Sequence, residues 1–172
     1  MDIETLQEEG ITSMSQHTAS PLWRITVSPK RAELDSHGAA ILRDIHELGL
    51  PHVRVVASSR LFLMETDLPE TVLERIASLL LADPITESYR LHRGGDEREP
   101  AHDDSDCEIE VHLKGGVMDP VAASTLAAVA DMGIDTRALA ISTARLYRLQ
   151  GLANLDELEF VARRLFYNDC IE

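Results

Sequence analysis

The sequence predicts an α+β protein made of two β-α-β-β-α-β copies that pack as an internal pseudo-dimer through their antiparallel sheets. Three observations predict it. First, the chain repeats itself. Ile25-Thr-Val27-Ser-Pro-Lys30 and Ile109-Glu-Val111-His-Leu-Lys114 share a pattern at an offset of 84, and at that offset Leu34-Asp35 faces Met118-Asp119 and Leu48-Gly49-Leu50 faces Met132-Gly133-Ile134. With one-residue slips, Arg60-Leu61-Phe62 faces Arg145-Leu146-Tyr147 and Asp83-Pro-Ile85 faces Asp169-Cys-Ile171. Second, strand-like and helix-like periodicities follow in the same order in both copies. Third, 172 residues of which 44% are hydrophobic suit one domain or two small ones with a packed core. The expected layout is an acidic tail over 1–21, a first copy over 22–91, an acidic Gly- and Pro-containing linker over 92–106, and a second copy over 107–172.

Each element has its own justification. Trp23, Ile25 and Val27 alternate with polar neighbours, as do Ile109, Val111 and Leu113, so each copy opens with a half-buried strand. Asp35 and Asp119 stand where a helix N-cap belongs, and Pro120 takes the first helical position of the second copy. Ile41, Leu42, Ile45 and Leu48 recur at helical spacing, and Gly49 and Gly133 stop the two helices. Val53–Ala57 with Arg60–Thr66, and Ala138–Ser142 with Ala144–Gln150, read as hairpins turning on very short Ser/Thr links. Asp67-Leu-Pro-Glu70 and Asn154-Leu-Asp-Glu157 each set a cap residue three before a Glu and announce a second helix. Ile85–Leu91 closes the first copy as a strand, giving a sheet that carries both helices on one face. Leu61 and Leu63 lie on one side of the third strand and Phe62 and Met64 on the other, so the helix-free face is expected to be covered by the sheet of the other copy. The second copy stops at Ile171-Glu172, before the equivalent of the closing strand. The parent polypeptide is therefore expected to run on past Glu172, with a shortened second copy as the alternative.

Thirty acidic against sixteen basic residues give a net charge of −14, which argues against nucleic acid and anionic lipid as partners. More than half of that charge sits in the tail and the linker, where it solvates segments outside the apolar pattern. No apolar run approaches the ~20 residues of a membrane span. The opening residues carry Asp2, Glu4, Glu8 and Glu9 in place of a basic and then apolar leader, so a cytoplasmic protein is expected. Cys107 and Cys170 read as free thiols in a reducing compartment.

Residues that carry chemistry are sparse. Neither phosphate-binding glycine motif occurs, and Lys114-Gly115-Gly116 reads as a strand-to-helix turn. His102, Asp103, Asp104, Asp106 and Cys107 are metal-ligand types at no ligand spacing, and read as linker. His37, His46 and His52 have no nucleophile at motif spacing. No catalytic, cofactor-binding or metal-binding residue is assigned to the chain. Arg60 and Arg145 open the third strand of their copies, where each would either clamp a carboxylate or phosphate of a partner or guard a sheet edge.

The stretch Val111-His-Leu-Lys-Gly-Gly-Val-Met-Asp-Pro120, followed by the helix ending Asp131-Met-Gly133, resembles the PurS family, the small subunit of phosphoribosylformylglycinamidine synthase. The family pattern runs strand, Leu-Lys, a short apolar loop, Asp-Pro-Gln-Gly and helix. The second copy supplies Leu113-Lys114 and Met118-Asp119-Pro120 with Val121-Ala122 in place of Gln-Gly, and the first supplies Lys30, Leu34-Asp35 and Gly38 with Ser36-His37 in place of Pro-Gln. The two copies span about 135 of the 172 residues. A tandem pair of this kind also resembles the N-terminal domain of the long, single-chain (PurL) form of the synthase.

The resemblance implies a ferredoxin-like fold in each copy and a non-catalytic assembly role in purine biosynthesis. The whole enzyme would convert formylglycinamide ribonucleotide (FGAR), ATP and glutamine to formylglycinamidine ribonucleotide (FGAM). The implied partners are a synthetase (PurL-type) domain, which would hold the ATP and magnesium, and a glutaminase (PurQ-type) domain, in cis or in trans; the unit read here would join them and shield the ammonia path. The candidate partner contacts are Lys30, Asp35, Gly38, Arg60, Lys114, Asp119, Pro120 and Arg145. Two rival readings stay open. A tandem ACT-type amino-acid-sensing module shares the element order and sets an Asp and a Gly at the first turn, as Asp35 and Gly38 are set here. A free-standing enzyme would use Arg60, Arg145, Lys30 and Lys114 on a phosphorylated substrate, although fold alone licenses no chemistry.

Overall fold

The computed structural model describes residues 20–94 and 106–166; the expectations placed on the tail before Ser20, on the linker with His102, Asp103 and Asp104, and on the stretch from 167 to Glu172 with Cys170 lie outside the described residues. The elements are β1 (Leu22–Pro29), a 3-10 turn (Ala32–Leu34), α1 (Ser36–Glu47), β2 (Val55–Thr66), α2 (Glu70–Ile76) continued by a π-helical turn (Ala77–Leu81), β3 (Glu87–Arg93), β4 (Asp106–His112), α3 (Pro120–Asp131), β5 (Leu139–Gln150), and α4 (Leu155–Val161) continued by a π-helical turn (Ala162–Phe166). The five strands make one antiparallel sheet in the order β3-β1-β2-β5-β4. Among the described residues no helix is long and apolar enough to cross a membrane.

The helix starts follow from local chemistry. Asp35 caps α1 by accepting from the Gly38 N–H, Asp119 caps α3 by accepting from the Ala122 N–H, and Pro120 begins α3. Gly49 and Gly133 follow these helices with φ of 93° and 77°, the left-handed turn glycine takes at low cost. Asn154 caps α4 by accepting from the Glu157 N–H. The Asp67 half of that expectation needs correcting: α2 starts after Pro69, with no side-chain cap, and Glu70 is its first residue. The closing strand also starts later than the periodicity suggests, at Glu87. Ile85 is instead exposed in a turn held by Asp83, whose Oδ1 accepts from the Ile85 and Thr86 N–H groups.

The two expected hairpins do not form. Each is a single twelve-residue strand, β2 or β5, so the first half reads β-α-β-α-β. The polar residues that break the apolar alternation are landing points for the helix caps. Ser58 donates its N–H and its hydroxyl to Asp35, and Thr143 donates both groups to Asp119. Neither Ser nor Thr demands a turn, and a full-length ladder from Val55↔Gln150 to Thr66↔Leu139 satisfies both strands.

That ladder also corrects how the halves meet. They join edge to edge through β2 and β5, and the sheets do not stack face to face. All four helices cover one face. Ile25, Phe62, Leu91, Ile141 and Tyr147 lie on that face by register, and the apolar core divides there into two clusters that each draw on both halves. One joins Trp23, Ile25, Val27, Phe62, Met64 and the α2 residues Leu73 and Ile76 to Val129 of α3 and Leu139 of β5. The other joins Ile41 and Ile45 of α1 to Val111, Tyr147, Leu149, Val161 and Phe166.

On the opposite face Leu61, Ala144 and Leu146 are only 0%, 8% and 7% exposed although no helix lies over them. The sheet curls over itself. Arg24 on β1 and Glu110 on β4 both stand on this face, and a flat sheet would hold their strands roughly 14 Å apart. Both terminal guanidinium nitrogens of Arg24 nevertheless meet the Glu110 carboxylate. Glu110 also accepts from or pairs with His112 Nε2 at 2.9 Å. Burial alone would raise the Glu110 pKa, but Arg24 and His112 hold it below the usual carboxylate range. The Arg24–Glu110 pair thus spans the face on which these apolar side chains lie, and no second sheet stacks on it among the described residues.

Candidate functional site

The two halves meet on the helix-covered face at a cavity of about 270 Å³ whose lining includes Asp35, His37, Ser58, Arg60, Glu87, Arg145 and Tyr147. Its floor is the β2–β5 seam, where Arg60 and Arg145 are direct cross-strand partners. Like charges placed opposite each other are unfavourable. Here each guanidinium is drawn toward a different helix end. Arg60 donates to the Leu81 carbonyl at 3.0 Å and to both Glu87 oxygens at 2.8 and 2.7 Å, and Arg145 donates to the Phe166 carbonyl at 3.4 Å. Exposed C-terminal carbonyls favour cations, and the Glu87 carboxylate offsets the charge on Arg60.

The walls come from the helix starts. Asp35 is buried; Oδ1 accepts from the Gly38 N–H at 2.7 Å and from the Ser58 hydroxyl, and Oδ2 accepts from the Ser58 N–H at 2.6 Å. One carboxylate thus caps α1 and takes a strand donor of β2 just past its pairing with β1. Gly38 is required by this approach, because a Cβ there would come within 2.5 Å of both Asp35 Oδ2 and the Val56 carbonyl. Asp119 repeats the arrangement against Thr143. Its partial burial works against the charged form, but the Ala122 and Thr143 donors outweigh this and lower its pKa. His37 Nε2 lies 2.9 Å from the Tyr147 hydroxyl, and the Tyr147 ring stacks tilted on Phe166 with centroids 4.4 Å apart.

Of the eight sequence candidates, Asp35, Arg60 and Arg145 line the cavity and Gly38 sits directly behind Asp35. Lys30 lies at the exposed end of β1 and donates to the Pro84 carbonyl at 2.6 Å. Lys114 is exposed in the turn after β4, while Asp119 and the exposed Pro120 form the start of α3 and do not line the cavity. Sequence reasoning missed Ser58, Glu87, His37 and Tyr147. The only available signal was the pair of polar breaks at Ser58 and Thr143, which sit at matching places in the two halves. The arrangement is suited to holding and recognition, since the Asp35 carboxylate and the Arg60 guanidinium are both bonded within the fold.

Residues 22–94 match the PurS family model, described as Phosphoribosylformylglycinamidine (FGAM) synthase. That segment is a PurS-like domain. The match covers β1 through β3 with both intervening helices, so the Asp35–Ser58 clamp and the Arg60–Glu87 pair fall inside the PurS-like region. It points to a role connected with FGAM synthase in purine biosynthesis. No curated protein matches the chain.

Proposed function

We propose that this chain is a non-catalytic assembly unit of FGAM synthase, acting in the cytoplasm as a tandem PurS pair of the kind found at the N-terminus of the long single-chain (PurL) enzyme. The PurS match over 22–94 carries the reading. The rest of the fold supports the tandem form, because Asp119–Thr143, Arg145–Phe166 and the cap of α3 repeat, 84 or 85 residues on, the contacts of Asp35–Ser58, Arg60–Leu81 and the cap of α1. In this reading the unit bridges a PurL-type synthetase, which holds ATP and magnesium, and a PurQ-type glutaminase, and it shields the ammonia that passes between them. Lys30 and Lys114 stand at exposed loop positions and Pro120 at the exposed start of α3, places suited to partner contact. The amino-acid sensor alternative has weaker support: its ligand would sit at the first-turn Asp and Gly, where Asp35 is already bonded and a single added Cβ would clash at Gly38.

Reconstitution tests the proposal. Adding the chain to a synthetase and a glutaminase that lack their own PurS unit should restore FGAM formation from glutamine while leaving formation from free ammonia unchanged. No gain in the glutamine-dependent rate at saturating chain would overturn it.

A further inference from the structure

A second cleft, of about 330 Å³, lies away from the seam, at the end of the sheet where β1 meets β3, and is lined by Trp23, Asp67, Leu68, Pro69, Glu70 and Arg93 among others. Three features set it apart. Trp23 is only 8% exposed and its indole N–H is buried with no acceptor among the described residues, although a buried indole N–H ordinarily finds one. Arg93, the cross-strand partner of Trp23, holds its guanidinium carbon 5.8 Å from the centroid of the indole ring. Asp67 and Glu70 line the same cleft, yet no ion pair joins either to Arg93; among the described residues Asp67 accepts only from the Ser20 hydroxyl, at 3.1 Å.

A cation and two carboxylates thus share one small cleft without neutralising each other, beside the face of a buried indole. We propose that this cleft binds a small zwitterion of the α-amino-acid class. The ligand carboxylate takes the Arg93 guanidinium, in a charge-assisted arrangement backed by the indole face of Trp23. Its ammonium faces Asp67 and Glu70. Neither a simple anion nor a simple cation suits the site, since each would satisfy one wall and be repelled by the other. The cleft is separate from the seam and from the assembly role, so binding is read on the chain alone and assembly only in the reconstituted reaction.

Trp23 is the only tryptophan of the 172 residues, so its fluorescence reports on the cleft directly. The full chain is titrated with glycine, L-alanine, L-leucine and L-glutamine, following both Trp23 emission and heat by calorimetry. N-acetylglycine and glycinamide serve as probes that carry only one of the two charges. The expected result is saturable binding of at least one amino acid, with the singly charged probes weaker by at least about tenfold. Arg93→Gln and Asp67→Asn should each weaken binding by a similar factor with the far-ultraviolet spectrum intact, and a folded variant of either kind that binds normally would count against the site. No saturable signal from either method up to tens of millimolar, or equal binding of N-acetylglycine, overturns the proposal.

Discussion

A single carboxylate can serve two masters when a helix starts beside the end of a strand pairing. Asp119 caps α3 and also takes the Thr143 N–H and hydroxyl, so its removal strips the helix cap and leaves strand donors without an acceptor. Asp119→Ala is expected to cost about 2 kcal/mol from the lost cap and hydrogen bonds together. The pH dependence has a definite sign. The folded-state pKa lies below the unfolded value of 3.8, so the contribution is complete above about pH 4 and disappears as the pH falls through the lowered folded value. Thermal melts of the wild type and Asp119→Ala should therefore differ at neutral pH and converge in acid; a difference that grows as the pH falls would contradict the assignment. The sequence made Asp35 and Asp119 legible as caps, because Asp before a helical apolar pattern has that meaning. It did not reveal their second role, since the Asp35 and Ser58 contact spans 23 positions and leaves no local periodicity.

At the scale of elements, the long central strands β2 and β5 are where reading and structure part. A polar pair such as Ser58-Ser59 between apolar runs is the usual mark of a turn, but here it lies at the middle of a continuous ladder. Donors alternate sides along a strand. The Ser58 N–H turns toward Asp35, so the Ser59 N–H faces β5. Ser59→Pro would remove a ladder hydrogen bond and place a ring in a central strand, for an expected loss of at least about 1–3 kcal/mol from the unpaired acceptor alone. A proline in a true two-strand turn would cost little. Chemical denaturation of the variant separates the two cases, and near-wild-type stability would restore the hairpin. Strand and helix identity, helix order and the cap of α4 were legible because each rests on spacing within a dozen residues. The edge-to-edge seam was not, since pattern records which residues are apolar and not which strand they pair with.

At the scale of the whole molecule, the two apolar clusters each take helices and strands from both halves. Each half completes the core of the other, Val129 and Leu139 closing one cluster and Ile41, Ile45, Val53 and Val56 contributing to the other. Separating them between Gly94 and Asp106 would expose the paired edges of β2 and β5 along their full lengths, strip Val129 and Leu139 from one cluster and divide the other nearly in two. Fragments 1–94 and 106–172, produced apart, are expected to show no folded monomer by sedimentation and hydrogen exchange, and mixing them is expected to recover protected β2 and β5 amides. A stably folded, monomeric 1–94 fragment would refute the shared-core account. The internal repeat was visible from residue spacing alone. The exchange of helices between clusters was not, because it depends on the rotation that edge pairing imposes on the halves.

The bond from Arg24 to Glu110 gives the sheet a mechanical character. A curled sheet behaves as a bent leaf spring, and this one is fastened across its concave side by a clasp between β1 and β4, with β2 and β5 lying between them. The apolar side chains beneath, Leu61 and Leu146 foremost, set how tightly the spring can close. The clasp sets how far it can relax. The clasp thus ties β4 to β1 side by side with the ladders that run through β5 and β2, a second connection between the two halves to which neither seam strand contributes a side chain.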